Sequence, residues 1–218
     1  TQRHCMMLEN CCYDFFELTC LNMAQQGLFG EVIHAQGAYI HNLEPFWAHY
    51  QGNWRLEFNQ DHAGDVYATH GLGPVCQVLD IHRGDKMEYL VSMSTPSYNG
   101  KKIAKEMMGT EEFANGDMTS TLIKTNKGKT ILIQHNVYTP RPYDRLFQLT
   151  GTEGFANKYP IEGFTLKEEN VPSDVIPDHE KLDEHGFVSN EVRDSLMIAY
   201  KHPIAKDIEE KAKSVGGH

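Results

Sequence analysis

Val32-Ile33-His34-Ala35-Gln36-Gly37-Ala38-Tyr39-Ile40 is the stretch from which the fold can be predicted, because its β-branched and aromatic residues favour a β-strand. Gly37 interrupts the run and indicates either a bulge or the close approach of another backbone. Tyr39 and His41 are two residues apart, so their side chains are expected on the same side of this strand. The fold is therefore expected to contain a sheet into which the flanking segments fit.

Helices are predicted on both sides of this strand. The first can be capped by Asn10 and ended by Gly27, and its regularly spaced apolar residues are Phe15, Leu18 and Leu21. The second runs from about residue 67 to 81, and its helically spaced residues are Leu72, Val75, Cys76 and Leu79. Residues 43–64 lack sustained periodicity and are predicted to form a long ordered loop around Trp54-Arg55-Leu56.

Further strands are predicted beyond the second helix. They cover residues 87–93, 118–125, 130–138, 146–150 and 164–166, and Asn126-Lys127-Gly128 joins two of them in a hairpin. Short helices are expected at 101–108, from about Ser189, and from Ile204 after Pro203, whereas the acidic and Pro-rich segment 167–187 is expected to be a solvated excursion. These elements predict one α+β domain, a mostly antiparallel sheet with helices on one face.

Composition limits the function classes. The 218 residues include 30 acidic and 20 basic side chains, so the formal charge of −10 argues against nucleic acid or an anionic membrane as the main partner. The sequence has neither a run long enough for a membrane span nor a signal-peptide core after its first four residues. The compartment therefore stays open.

The cysteines and histidines do not predict a metal site. Four of the five cysteines lie in the first twenty residues and are expected to be mostly free thiols on a buried segment. The twelve histidines include no His-Glu-x-x-His pair, and Cys11-Cys12 lacks the two-residue gap of a zinc knuckle. We expect no metal.

The stretch Asp65-Val66-Tyr67-Ala68-Thr69-His70-Gly71-Leu72-Gly73-Pro74 is the strongest candidate for chemistry. Tyr67 and His70 are three residues apart and share one face of a helical turn, where a phenol and an imidazole can exchange protons with a polyol. The alternative is the start of a helix with a buried and satisfied histidine.

Nucleotide-binding and serine-hydrolase motifs are missing from the sequence, which has no Gly-x-Gly-x-x-Gly, no P-loop and no Gly-x-Ser-x-Gly. The chain opens on a helix without a preceding strand–helix unit, so a partner domain is expected upstream of residue 1. The end at Gly216-Gly217-His218 likewise suggests a truncated segment.

Several strings stand out when they are taken together, namely His4-Cys5-Met6-Met7-Leu8-Glu9-Asn10-Cys11-Cys12-Tyr13, Asn22-Met23 through Gly30-Glu31, Gly37-Ala38-Tyr39-Ile40-His41, Trp54-Arg55-Leu56, Tyr67-Ala68-Thr69-His70-Gly71-Leu72-Gly73-Pro74 and Arg141-Pro142-Tyr143. Together they resemble glycoside hydrolase family 109, the NAD-dependent α-N-acetylgalactosaminidase branch of the Gfo/Idh/MocA oxidoreductases. The resemblance covers most of residues 1–160 and continues more loosely to the end.

The resemblance implies that residues 1–218 form the C-terminal, substrate-binding and catalytic domain, without the Rossmann domain that binds NAD. It also implies a glycosidase reaction that needs no pair of carboxylates. NAD+ oxidises C3 of an N-acetylgalactosaminide, the C2 proton is removed, the aglycone leaves by elimination, water adds and hydride returns. The isolated chain is accordingly expected to have no turnover. Relatives of this family are often exported.

Site residues follow from the resemblance, residue by residue. Glu9, Tyr39 and Arg55 match positions that contact the sugar, and Tyr67 and His70 match the pair beside the reacting carbons. Tyr67 or Tyr39 is expected at C2 and His70 at the 3-hydroxyl, a partition that the sequence does not fix. Glu9 and Tyr67 are also expected on the nicotinamide side.

Other positions are less tightly matched. Tyr143 resembles a third pocket tyrosine near the acetamido group, although Tyr138 competes for that role. Gln36 and Asn42 stand where relatives often carry acidic residues. Glu9, Tyr39 and Arg55 also have ordinary structural explanations, as a first-turn carboxylate, a strand aromatic and a loop residue bonded to carbonyls.

Two other functions remain open at this point. A Gfo/Idh/MocA sugar dehydrogenase would stop after oxidation and release NADH, and the fold alone does not separate it from the glycosidase. A non-catalytic domain could instead mediate homo-oligomers through an exposed sheet face. The alternating residues that permit this are Met87, Tyr89, Val91 and Met93.

Overall fold

A computed structural model describes residues 2–6, 8–50 and 54–216 of the protein, with side chains left out for 48–50. Gly217, His218 and residues 51–53 of the predicted loop lie outside the described residues. The helices are α1 Phe15–Gln25, α2 Trp54–Asp61, α3 Thr69–Val78, α4 Asn99–Met108, α5 Asn190–Ala199 and α6 Pro203–Ser214. Short 3-10 helices cover Asn10–Tyr13, Glu44–Tyr50 and Glu168–Asn170.

A mixed seven-stranded sheet forms the centre, in the order β2-β3-β4-β1-β5-β6-β7. The strands are β1 Val32–Ile40, β2 Met87–Ser94, β3 Thr119–Thr125, β4 Thr130–Asn136, β5 Phe147–Gly151, β6 Gly154–Asn157 and β7 Gly163–Leu166. The pairing of β1 with β4 is parallel, and the five other pairings are antiparallel. The predicted α+β class and the mostly antiparallel sheet are confirmed.

One face of the sheet carries the core. Side chains of α1, α3 and α5 pack against it and bury the residues Phe16, Met23, Ala35, Val75, Ile131, Ile133, Phe147, Leu149 and Leu196. Burial of apolar area at about 25 cal/mol per Å² is the main driving force for such a layer. A second cluster, around Trp47, Tyr138 and Phe113, joins α4 to the segment after β1.

The backbones of β1 and α3 touch where both carry glycine. A Cβ added to Gly37 would lie 2.2 Å from the carbonyl oxygen of Gly71, and a Cβ on Gly71 would lie 2.6 Å from the amide nitrogen of Ala38. Gly37 therefore marks a close approach, one of the two predicted possibilities. This contact places the first turn of α3 beside the end of β1.

Several predictions were wrong in detail. The described part of residues 43–64 is not one long loop, because it holds the 3-10 helix Glu44–Tyr50 and the helix α2. Strand β6 was not predicted. Asn10 does not cap the first helix; Glu9 caps a 3-10 turn by accepting a hydrogen bond from the amide of Cys11.

Other predicted features are confirmed. Ser189 caps α5 through the amide of Val192, and β3 and β4 form the hairpin around Gly128, whose φ is +84°. All five cysteines are free thiols, although Cys5 is exposed rather than buried. Within the described part of the chain, no helix reaches the length and apolarity that a membrane span requires.

Candidate active site

Glu9 and His70 form the centre of the site. Glu9 precedes the first 3-10 turn, and its Oε1 atom lies 2.5 Å from Nδ1 of His70 at the start of α3. Burial raises the pKa of the Glu9 carboxyl, but hydrogen bonds from His70, the Cys11 amide and Thr69 outweigh burial and hold this pKa below its ordinary value. Glu9 is thus a carboxylate that fixes the orientation of the imidazole.

Three aromatic rings stand together beside this pair. The ring centroids of Tyr39, Tyr67 and His70 lie 4.8 to 5.0 Å from one another. Tyr39 belongs to β1, Tyr67 immediately precedes α3, and His70 lies in its first turn, so the glycine contact between β1 and α3 brings them together. The structure thus groups the three residues that the sequence predicts as catalytic.

Each phenol has a basic partner. The hydroxyl of Tyr39 lies 3.3 Å from Nδ1 of His41, and Nη2 of Arg55 lies 3.5 Å from the hydroxyl of Tyr67. The Arg55 guanidinium also lies 5.2 Å from the centroid of the Tyr67 ring, within cation–π range. Burial, followed by the charges of Arg145 and Arg55, lowers the pKa of His41, which favours the neutral imidazole, a form able to accept a hydrogen bond from the Tyr39 hydroxyl.

Arg145 is a second basic group near the site, and it reaches His70 through the thiol of Cys11. Arg145 donates a hydrogen bond from Nη1 to Sγ of Cys11 at 3.0 Å, and that sulfur lies 3.3 Å from Nδ1 of His70. Arg145 also donates a hydrogen bond from Nε to the hydroxyl of Tyr143. The ring centroids of Tyr143 and His41 lie 4.9 Å apart. Burial raises the pKa of the Cys11 thiol, and Arg145 opposes that rise.

The structure separates the two candidate tyrosines. Tyr143 is partly exposed at the rim of the group, beside His41 and Arg145. Tyr138 is fully buried in the second cluster, and its hydroxyl donates to Oδ1 of Asn59 at 2.5 Å. Tyr143 is therefore the one that could contact a ligand.

Gln36 and Asn42 lie outside this group. The amide of Gln36 donates to Oε1 of Gln148 at 2.8 Å on the opposite face of the sheet, because Gln36 and Tyr39 differ by an odd number of strand positions. Oδ1 of Asn42 accepts from the amide of Glu44. Neither contact tunes one of the site histidines.

Cys11, His41 and Arg145 were missed as functional candidates by the sequence reasoning. Each lies two positions after a residue that was named, namely Glu9, Tyr39 or Tyr143. In extended backbone, as between Tyr39 and His41, this spacing places side chains on the same side and is a signal that could have found His41, whereas Cys11 lies in a 3-10 turn where the rule does not apply. The buried His135 was also missed, and its ring centroid lies 6.2 Å from that of Tyr39. Burial lowers the pKa of His135 to about 4.

Comparison with known proteins gives matches over the whole chain. The family model described as "Glycosyl hydrolase 109, C-terminal domain" matches residues 13–218. Glycosyl hydrolase family 109 protein 1 of Bacteroides fragilis strain YCH46 is 63% identical over 220 residues, and the corresponding protein of Porphyromonas gingivalis strain W83 is 61% identical. Each alignment covers 100% of this chain and 47% of the relative. The chain thus spans about half the length of these relatives.

Solved structures with a similar fold are oxidoreductases. An NAD binding oxidoreductase from Klebsiella pneumoniae is 14% identical with a TM-score of 0.50, covering 69% of this chain and 38% of that one. The apo scyllo-inositol dehydrogenase from Lactobacillus casei is 9% identical with a TM-score of 0.50, covering 86% of this chain and 49% of that one. These likenesses show the fold alone, which this chain shares with part of each of the two oxidoreductases.

Proposed function

This chain belongs to glycosyl hydrolase family 109, and we propose that its pocket is the sugar-binding half of an NAD-dependent glycosidase that acts on α-N-acetylgalactosaminides. The observation that carries the proposal is the cluster of Tyr39, Tyr67 and His70 around the Glu9–His70 pair. Glu9 is hydrogen-bonded to an imidazole and not placed opposite a second carboxylate. Hydrolysis by two carboxylates needs such a pair, whereas oxidation followed by elimination does not.

The residues present fit a nicotinamide on one side of the pocket. Glu9 stays anionic because hydrogen bonds hold its pKa low, and the Tyr67 ring offers a flat neighbour, so both suit a cationic aromatic ring. We place the rest of the cofactor on a separate Rossmann domain, since this sequence has no glycine-rich phosphate motif. NAD, when bound, supplies oxidation at C3 of the sugar and the return of hydride.

His70 holds the proton of the sugar 3-hydroxyl. The Glu9 carboxylate accepts a hydrogen bond from Nδ1–H of His70, which leaves Nε2 unprotonated and able to accept a proton. The O–H proton of the sugar therefore moves to Nε2 as C3 is oxidised, and it returns when C3 is reduced. Glu9 stabilises the imidazolium that exists between these two events.

Tyr39 takes the C2 proton in this proposal. The Tyr39 hydroxyl passes its own proton along its hydrogen bond to His41, and the resulting phenolate, whose charge the nearby Arg145 stabilises, removes the proton from C2, which the adjacent C3 carbonyl acidifies. The C1–C2 double bond forms as the C1–O bond to the aglycone breaks. The proton held by His41 goes to the departing aglycone oxygen. Water then adds at C1 as Tyr39 returns a proton to C2, and the proton that the water releases restores the Tyr39 hydroxyl. Arg55 and Tyr67 hold the sugar hydroxyls, and Tyr143 lies at the rim near the acetamido group.

The test uses the full-length protein with p-nitrophenyl α-N-acetylgalactosaminide in deuterium oxide. Nitrophenol release, deuterium at C2 of the sugar and no net NADH are the expected results. Accumulating NADH without nitrophenol would make the protein a sugar dehydrogenase. Nitrophenol release without deuterium at C2 would contradict the elimination.

Variants assign the proton transfers. Tyr39→Phe and His70→Gln should each lower kcat by about 10²-fold or more, the usual contribution of a positioned acid or base. Tyr89→Phe is the matched control, because Tyr89 is exposed on the other face of the sheet and makes the same chemical change. If Tyr67→Phe abolishes deuterium exchange while Tyr39→Phe retains it, Tyr67 is the base instead.

A second candidate function is assembly. Tyr89, Val91, Met93 and Leu122 are all more than half exposed and lie side by side on β2 and β3, where Val91 pairs with Leu122. A patch of this kind suits a second copy of the chain. The two functions are compatible, since this patch and the pocket lie on opposite faces of the sheet.

A further inference from the structure

Glu9, Cys11 and His70 bring an oxygen, a sulfur and a nitrogen donor to one point, with the ligating atoms within 4.8 Å of one another. We propose that this cluster binds a thiophilic divalent cation such as Zn²⁺ and that the bound ion blocks the pocket. The sequence predicts no metal, because the donors are not closely spaced; Cys11 and His70 are 59 positions apart. The binding does not depend on the proposed function, whereas the inhibition rests on it.

The donor set matches the ion. Thiolate, imidazole and carboxylate are the three protein ligands of zinc, and a site with three of them leaves a fourth position for water or a hydroxyl. Softer ions such as Cd²⁺ bind preferentially to sulfur ligands, while hard ions such as Mg²⁺ prefer oxygen ligands. Selectivity for thiophilic ions is therefore expected.

The spacing is close to what coordination requires. Zinc bonds of about 2.0 to 2.3 Å in a tetrahedron separate the donor atoms by roughly 3.3 to 3.7 Å. Sγ of Cys11 and Nδ1 of His70 are already 3.3 Å apart. Oε1 of Glu9 and Nδ1 of His70 are 2.5 Å apart and must separate by about 1 Å as the ion replaces the proton between them.

The donors are held in place before an ion arrives. The Cys11 amide donates to Oε1 of Glu9 at 3.1 Å, and His70 lies in the turn of α3 whose backbone touches Gly37. Gly73, one turn later, packs against both Glu9 and Cys12, where an added Cβ would lie 2.9 Å from Cγ of Glu9. Little conformational freedom remains to be lost on binding.

Arg145 affects the site in two opposing ways. Its hydrogen bond to Sγ favours the thiolate, the form of Cys11 that ligates a metal, and hydrogen bonds to ligating atoms are a regular part of metal sites. Its positive charge opposes a second cation nearby. The carboxylate of Glu9 and the thiolate of Cys11 together balance the two charges of the ion.

Binding is tested on the full-length protein with Cd²⁺, whose bond to a thiolate gives an ultraviolet charge-transfer band, and with Zn²⁺ as competitor. One equivalent of Cd²⁺ should develop the band, Zn²⁺ should remove it, and Cys11→Ser, which lacks the thiolate of the cluster, should show no band. Cys5→Ser is the matched control, since Cys5 is the exposed thiol, and it should bind as the parent does.

A second variant guards against misfolding of Cys11→Ser. His70→Gln keeps the thiol but removes the nitrogen donor, and it should weaken Cd²⁺ binding at least tenfold. No band in the parent protein, a band lost in Cys5→Ser, or equal binding in His70→Gln would overturn the proposal. Competition between Zn²⁺ and the sugar is a separate readout, so failure of the glycosidase assignment leaves the metal result interpretable.

Discussion

The two faces of the sheet differ in what covers them. On the helix-covered face Ala35, Ile131 and Leu149 are completely buried, whereas on the open face Met93 is 72% and Leu122 is 51% exposed. Tyr39 is on the covered face, two positions beyond Gly37. The site side chains therefore continue the packed layer, and the core that stabilises the fold also holds the phenols and the imidazole in position.

The open face has two parts. At its centre the side chains of Gln36, Gln148 and Asn157 form a chain of hydrogen bonds of 2.8 and 3.1 Å. At the β2–β3 end the exposed side chains Tyr89, Val91, Met93 and Leu122 are apolar. The polar groups at the centre satisfy one another's hydrogen bonds, whereas the apolar groups at the β2–β3 end stay exposed.

The largest loss of stability is expected at Gly37, where the backbones of β1 and α3 touch on the covered face of the sheet. Gly37→Ala would put a Cβ 2.2 Å from the carbonyl oxygen of Gly71, a backbone atom of α3 that cannot move without displacing the helix. We expect a loss of at least about 3 kcal/mol or no folded protein. Urea unfolding measures this change.

Gly186→Ala is the matched control for Gly37→Ala, because the nearest atom to its added Cβ is a side-chain oxygen of Asp183 at 3.7 Å. It should change stability by no more than about 0.5 kcal/mol. Equal effects at both glycines would show that β1 and α3 are not in direct contact.

The fold could be predicted where local pattern and packing agree. Strand β1, helix α3 and the β3–β4 hairpin follow their sequence periods. Helix α2 was missed because one of its buried positions is Asn59, which is satisfied by the hydroxyl of Tyr138 and the amide of Asn115 rather than by apolar contacts. Strand β6 has four residues and follows a tight turn, so its period was too short to detect.

The site could be predicted only in part. Tyr67 and His70 are three residues apart in one motif, so the sequence alone places them together. Glu9 was predicted as a site residue from the family resemblance. The contact of Arg145 with Cys11 joins residues 134 positions apart and depends on the pairing of β5 with β1, which no local pattern encodes. Partners of the named residues are therefore the part that the structure adds.

An intermediate effect is expected at Asp65, on the covered side. Its Oδ1 accepts from the Tyr67 amide, while Oδ2 is buried without a hydrogen bond among the described residues. Burial raises the pKa of this carboxyl to about 6. Because the folded pKa exceeds the unfolded value, the unfolded state ionises first, and stability is lost as the pH rises from about 4 to about 6.

Asp65→Asn removes that loss and keeps an acceptor for the Tyr67 amide. The variant should exceed the parent in unfolding free energy by up to about 3 kcal/mol at pH 7, and the difference should shrink towards zero near pH 4. Urea unfolding of both proteins between pH 4 and 8 measures it. A difference independent of pH would show that Asp65 ionises normally in the folded protein.

The smallest effect is expected on the open face, and it tests whether that face is open in solution. Leu122→Ala should cost no more than about 0.5 kcal/mol, whereas Leu149→Ala, the same change on the buried face, should cost about 2 to 5 kcal/mol. If a second copy covers β2 and β3, Leu122→Ala will instead cost more as protein concentration rises, because association stabilises the parent by mass action. Leu149→Ala should show no extra dependence on concentration. Unfolding both variants at two concentrations, with sedimentation to follow assembly, therefore separates an exposed face from an interface between copies.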